Sequence, residues 1–233
     1  MSEEYKDTFV ISLGGSIVVP NEIDTDFLTE FKMHIDSYLS KNKEARIIFV
    51  VGGGAAARNY QNAAKKLNSN PSDYDLDMIG IRATHLNAEY VRLSLGATSP
   101  LCTAPKAKNI PFEGQILVAG GWKPGFSTDT DAIYLAIKFG AKNVLNLSNT
   151  DLVYTSDPRV NKDAKPIHDI TWKDFQKIVG TKWTPGKNVP FDPVASKLAK
   201  KNDINVICAN GRNIENTISI LKKDKFVGTF IHN

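Results

Sequence analysis

Short apolar runs alternate with amphipathic stretches along almost the whole chain. The run Phe9-Val10-Ile11-Ser12-Leu13 reads as a strand that breaks at Gly14-Gly15, and over 24–39 the apolar residues Phe27, Leu28, Phe31, Ile35 and Leu39 recur at helical spacing. A second strand over 46–51 runs into Gly52-Gly53-Gly54, and helices are predicted over 55–67 and, past a turn around Pro71, over 77–95. A third strand over 115–119 ends in Gly120-Gly121-Trp122-Lys123-Pro124-Gly125, and a helix starts near Asp129. Further strands are predicted over 143–147, 205–209 and 227–231, helices over 172–179, 193–201 and 214–221, and a polar loop through Asp157-Pro158. Near-continuous apolar strands separated by helices predict a mainly parallel sheet covered on both faces, an α/β architecture.

Composition narrows the picture. A chain of 233 residues can bury a sizeable core without disulfides or structural metals. It carries no internal repeat, low-complexity segment or Pro/Ser-rich linker, so it reads as one domain over 1–233. Within it we expect an acceptor lobe over about 1–125 and a nucleotide lobe over about 126–233. The formal charge is +4, from 29 basic against 25 acidic residues, and it is dispersed in short clusters such as Lys65-Lys66 and Lys222-Lys223. That balance suits anionic small-molecule substrates and gives no argument for nucleic acid. Cys102 and Cys208 each lie in an apolar run and read as buried thiols in strands, with neither disulfide nor metal-ligand spacing. The opening MSEEYKD is polar and acidic, unlike a signal peptide, and no apolar stretch reaches membrane-spanning length, so a cytoplasmic protein is expected.

The candidate chemistry sits where the strands end. In an open parallel sheet ligands bind at the carboxyl ends of the strands, and three strands here end in glycine-rich loops: Gly14-Gly15-Ser16, Gly52-Gly53-Gly54, and Gly120-Gly121 continuing to Gly125. Glycine lets backbone approach a ligand closely, and free N–H groups beside a helix N-terminus favour phosphate. No Gly-Lys-Ser/Thr follows any of these glycines and no dinucleotide fingerprint is present, which sets aside Walker-type and Rossmann sites.

Six segments, in order, resemble the amino acid kinases, and among them the archaeal-type uridylate kinases. Ser12-Leu13-Gly14-Gly15-Ser16 and Val51-Gly52-Gly53-Gly54 followed by Arg58 resemble the family's opening. Asp77-Met78-Ile79-Gly80-Ile81 with Thr84 and Asn87-Ala88 resembles the segment that closes over a nucleoside monophosphate. Gly121-Trp122-Lys123-Pro124-Gly125-Phe126-Ser127-Thr128-Asp129 is similar to the acceptor-phosphate loop. Ser148-Asn149-Thr150-Asp151-Leu152-Val153-Tyr154-Thr155-Ser156-Asp157-Pro158 is similar to the segment that holds the ATP base and ribose, and Phe191-Asp192-Pro193-Val194-Ala195-Ser196-Lys197 to a motif opening a late helix.

The resemblance implies a three-layer α/β/α sandwich, transfer of the ATP γ-phosphate to UMP, Mg2+ carried by the nucleotide phosphates, no protein-held metal, and a homohexamer. By position it puts Gly53, Asp77 and Trp122, Lys123, Pro124, Gly125, Phe126, Ser127 and Thr128 on UMP. Ser12, Leu13, Gly14, Gly15, Ser16, Gly54, Arg58, Ser148, Asn149, Tyr154 and Asp157 fall on ATP, and Asp129, Arg58 and Lys123 are the candidate catalytic residues. Phosphoryl transfer is mainly positioning and charge neutralisation, which these residue types can supply.

Bland readings stand beside these. Asp129 also suits capping the helix that follows, Arg58 a surface helix position and Tyr154 an ordinary loop, while Trp172 and Trp183 read as core or interface residues. His85 reads as a packing or surface residue. Three positions depart from the family pattern: Ser12 and Ala55 stand where relatives carry lysines, and Leu152 where they carry glycine, leaving Lys123 as the nearest substitute cation. Other acceptors on the same fold (carbamate, acylglutamate, isopentenyl phosphate) stay open, as does a non-catalytic nucleotide- or oxyanion-binding protein.

Overall fold

β1 (Asp7–Leu13) sends Phe9, Ile11 and Leu13 into one core and Val10 into another, as the two-residue period of a strand buried on both faces requires. A computed structural model describes residues 5–180 and 189–233; Trp183 and the acidic start of the chain lie outside the described residues. After β1 come α1 (Gly15–Val18), α2 (Thr25–Lys41), β2 (Ala45–Val51), α3 (Gly54–Leu67), α4 (Asp73–Ser94), β3 (Ile116–Ala119), α5 (Thr128–Phe139) and β4 (Asn143–Ser148). The chain continues through β5 (Val153–Tyr154), β6 (Pro166–Ile167), β7 (Asp169–Thr171), α6 (Trp172–Val179), α7 (Pro193–Lys201), β8 (Asn205–Asn210), α8 (Ile214–Leu221) and β9 (Thr229–His232).

Seven strands form one sheet in the order β3-β2-β1-β4-β8-β9-β7, parallel from β3 to β8, with β9 antiparallel to β8. One core lies between the sheet and α1, α2, α4 and α8, and the other between the sheet and α5, α6 and α7. This is the predicted α/β/α sandwich. Trp172 is fully buried in the second core and donates its indole N–H to the Ile204 carbonyl at 3.1 Å, so its reading as a core residue holds.

Several boundaries are corrected. α4 begins at Asp73, four residues before the predicted start, because Ser72 accepts the Asp75 amide and caps it. The last strand begins at Thr229 rather than Val227, since Val227 is exposed and its amide goes to the Asn216 side chain instead of to a ladder. Cys102 is buried as expected but makes a single bridge to Ala119 instead of lying in a strand, whereas Cys208 is in β8.

Candidate active site

All strands from β3 to β8 point the same way, so the three glycine loops meet at one edge of the sheet. The first two interlock. A Cβ on Gly15 would lie 2.0 Å from the Gly54 amide nitrogen and 2.6 Å from Gly52 carbon, which only glycine tolerates. Gly14 donates its amide to the Leu147 carbonyl at 2.9 Å, tying the loop after β1 to the end of β4, where Ser148 begins the polar loop.

Helix capping separates these loops from the rest. α2, α4, α5, α6, α7 and α8 each start on a residue whose side chain accepts an amide of the first turn: Asp24, Ser72, Ser127, Thr171, Asp192 and Asn213. α1 and α3, which start on Gly14 and Gly53, have no side-chain cap. Among the described helices the two that emerge from the β1 and β2 loops are therefore the ones whose first turns no side chain caps. The Ile17 amide goes to the Gly14 carbonyl at 2.8 Å and the Ala55 amide to the Val19 carbonyl at 3.1 Å; the other first-turn amides are those an outside acceptor such as a phosphate oxygen could engage.

α4 holds the second and third glycine loops. Asn87, buried in that helix, donates to the Gly52 and Gly53 carbonyls at 2.9 and 3.0 Å. One turn earlier, Thr84 accepts the Gly121 amide at 2.7 Å, and His85 Nε2 lies 2.7 Å from the Gly121 carbonyl. Near the start of the helix Asp77 accepts the Gly125 amide at 2.8 Å. His85 is thus a tether of the third glycine loop, where the sequence suggested only packing or surface. Asp77 reaches the backbone of the loop with which the sequence grouped it.

α5 supplies an acidic pair, Asp131 buried and Asp129 half-buried. Asp129 does not cap the helix, because Ser127 does so; this corrects the capping alternative. Its carboxylate accepts the Ser12 hydroxyl at 3.0 Å and the Asp192 amide at 3.1 Å, linking β1 to the start of α7. Protein encloses it on most sides, and burial pushes its carboxyl up to about 6, with the neighbouring Asp192 adding to the rise and the two donors opposing it. It forms no ion pair among the described residues. Asp131, absent from the sequence reading, is fully buried and accepts the Trp122 amide at 3.0 Å through one oxygen. Burial pushes its carboxyl up to about 7, with the Asp129 charge adding to the rise.

The remaining predicted residues are scattered. Leu13, expected on ATP, instead turns its side chain into the first core, and Ser16 and Gly54 stand at the interlocked loops. Arg58 is exposed on α3 and Asn149 is exposed beyond β4. Tyr154 pairs with Pro166 in the small β5–β6 hairpin, and Asp157 holds Arg159 in a bidentate pair at 3.0 and 2.8 Å. Trp122 and Phe126 of the third loop form an aromatic cluster with Tyr134 of α5, with centroids 5.3 Å apart for Trp122–Phe126. The Lys123 ammonium lies 4.3 Å from the Trp122 centroid and 4.9 Å from that of Phe126, over the rings of its own loop, and Lys106 approaches Tyr134 at 4.7 Å. Pro124, Gly125 and Thr128 complete this loop, with Gly125 at a φ of +80° that suits glycine.

Comparison with known proteins agrees with this arrangement. The model of the amino acid kinase family matches residues 7–210. The chain is 34% identical to the uridylate kinase of Methanococcoides burtonii, over 94% of this chain and 95% of that protein, and 34% identical to that of Thermoplasma acidophilum over 97% and 96%. The crystal structure of uridylate kinase from Archaeoglobus fulgidus superposes with a TM-score of 0.76 at 30% identity, covering 96% of this chain and 99% of that one. UMP kinase from Bacillus anthracis, at 22% identity and a TM-score of 0.79, shares the fold. With matches that run nearly from end to end, the chain belongs to the amino acid kinase family.

Proposed function

We infer that this protein is a UMP kinase, which transfers the γ-phosphoryl group of ATP to UMP and yields UDP and ADP. The observation that carries this reading is its full-length kinship, at 34% identity, with proteins named uridylate kinase. The alternative acceptors and the non-catalytic reading have no comparable support.

In this reading the donor and acceptor phosphates meet over the interlocked glycine loops. The uncapped first turns of α1 and α3 donate amides to phosphate oxygens, with Ser12, Ser16, Gly14, Gly15 and Gly54 around the ATP phosphates and Arg58 within reach of them. Ser148, Asn149, Tyr154 and Asp157 border the base and ribose of ATP. Gly53, Asp77 and the loop of Trp122, Lys123, Pro124, Gly125, Phe126, Ser127 and Thr128 surround UMP. The tethers from α4 hold that loop before the acceptor arrives, so little ordering entropy is lost on binding.

Magnesium is the cofactor of this proposal. The family resemblance implies an ion carried by the nucleotide phosphates, the usual state of Mg2+ at phosphoryl-transfer sites. Asp129, which accepts the Ser12 hydroxyl and has no ion-pair partner among the described residues, would orient the ion on those phosphates together with the serine hydroxyls. Bound there, the ion would offset charge on the moving phosphoryl group, a task for which Ser12 and Ala55 supply no cation. We carry forward, as part of the proposal, the homohexameric assembly and cytoplasmic location that the family resemblance implies; no helix among the described residues is long and apolar enough to cross a membrane.

The test is a turnover assay with Mg·ATP against UMP, CMP, acetylglutamate and carbamate. UMP should be preferred by orders of magnitude, because a site that hydrogen-bonds one base leaves polar groups unpaired with another. Equal turnover of a non-nucleotide acceptor, or no transfer to UMP, would sink the reading.

A further inference from the structure

The peptide unit between Gly121 and Trp122 is gripped at both poles by side chains from two helices. Its carbonyl meets His85 Nε2 of α4 at 2.7 Å, and its N–H donates to Asp131 of α5 at 3.0 Å. The preceding amide, that of Gly121, goes to Thr84 at 2.7 Å. A Cβ at Gly120 would lie 2.7 Å from the His85 ring, so the chain is pressed onto α4 at this point. Any rotation of the Gly121–Trp122 peptide plane breaks both of its bonds at once.

Asp131 is the costly member of this grip. It has no exposed surface, and its second oxygen, Oδ1, has no hydrogen-bond partner among the described residues. Its neighbours on α5, Ala132, Leu135 and Ala136, are fully buried apolar residues of the second core. A side chain that only filled space there would be more stable as a hydrocarbon, because a buried carboxylate with an unmatched oxygen forfeits its hydration. Such a penalty is retained where the residue performs a task that a hydrocarbon cannot perform. Here that task is holding the Trp122 amide.

We propose that Asp131 is a positioning residue for the acceptor. From beneath the loop it fixes the Gly121–Trp122 peptide plane against His85, and so sets where the backbone of the third glycine loop meets the nucleoside monophosphate. The proposal rests on the reading of that loop as the acceptor loop. Asp131 touches neither substrate; it acts through Trp122.

The experiment compares Asp131→Leu, Asp131→Ser and Asp131→Asn in steady-state kinetics and in amide hydrogen exchange of the loop. Leucine and the shorter serine cannot accept the Trp122 amide, so KM for UMP should rise about tenfold or more while KM for ATP stays within about twofold. Exchange at the Trp122 amide should accelerate in step. The asparagine carbonyl can still accept that amide, so Asp131→Asn should recover most of the UMP affinity and of the protection. A parallel rise in both KM values, or unchanged UMP kinetics and unchanged Trp122 exchange in the leucine and serine variants, overturns the proposal. Asp131→Ser adds no bulk and decides the matter if Asp131→Leu does not fold. If the wild type took another acceptor, the UMP reading would fail, while Trp122 exchange and the KM for that acceptor would still decide the role of Asp131.

Discussion

Ser12→Ala is the perturbation whose consequence can be worked furthest. It removes one of the two donors to the Asp129 carboxylate, the hydroxyl at 3.0 Å, and leaves the Asp192 amide in place. A hydrogen bond to an ionised group contributes about 1.5–3 kcal/mol. One pKa unit corresponds to about 1.4 kcal/mol, so the Asp129 carboxyl should climb by about 1–2 units. Starting from about 6, it would then titrate at about 7–8.

If the carboxylate is the working form, the wild-type kcat/KM, which reports the free enzyme, rises with pH through about 6, and the acid limb of the variant moves to the alkaline side by about 1–2 units. At pH 7 the ionised fraction falls from about nine-tenths to between about one-tenth and one-half, so kcat/KM should drop about 2- to 10-fold and recover by about pH 9. Stability runs the opposite way. The folded pKa lies above the unfolded value of 3.8, so the protonated fold is favoured; that contribution is fully present below about 3.8 and lost as pH rises through about 6. The melting difference between wild type and Ser12→Ala should therefore be small at pH 5 and reach about 3–12 °C at pH 8. A uniform loss of rate from pH 6 to pH 9, with no displacement of the limb, would refute the reasoning.

Lys123→Ala should lower kcat by about 10²-fold, well beyond any change in UMP affinity, with partial recovery on adding Ala55→Lys. A loss confined to KM would assign Lys123 to uniform substrate binding, and a wild-type kcat would leave its ammonium a mere companion of the Trp122 and Phe126 rings. Gly15→Ala should abolish measurable transfer and lower the melting temperature, since its Cβ would overlap the Gly54 amide at 2.0 Å. Activity and stability equal to wild type would mean that the two loops separate more easily than their packing indicates.

The sheet was legible because its strands are apolar runs ending in glycine, a local signal. What escaped depended on partners far away in the chain. Asp129 meets Ser12 and Asp192, 117 and 63 positions distant, so its local resemblance to a helix cap hid a long-range bridge. His85 pins Gly121 across 36 positions, and nothing around it marks it as a tether. Asp131 left a clue: an acid in register with Leu135, on the face that Ala132 and Ala136 bury, is a polar residue on a core face. The early start of α4 was also readable from Ser72 three residues before Asp75, a capping pattern obscured by the irregular apolar spacing around Tyr74 and Leu76. The small β5–β6 hairpin, two residues to a strand, is too short to leave any period.

The tethers on α4 make that helix a ruler. Asp77 holds the far end of the third glycine loop and Asn87 holds the triglycine loop, ten residues apart on one helix, or about 15 Å along its axis. The interval between the two loops is thus set by helical rise and not by the loops themselves. Changes of length or composition within the loop between Gly121 and Gly125 leave that interval intact. A single residue inserted into α4 between Asp77 and Thr84 would swing Asp77 about 100° around the helix relative to Thr84, His85 and Asn87. The spacing of the two tethered loops is therefore fixed by the length of the helix beneath them and not by the residues of the loops.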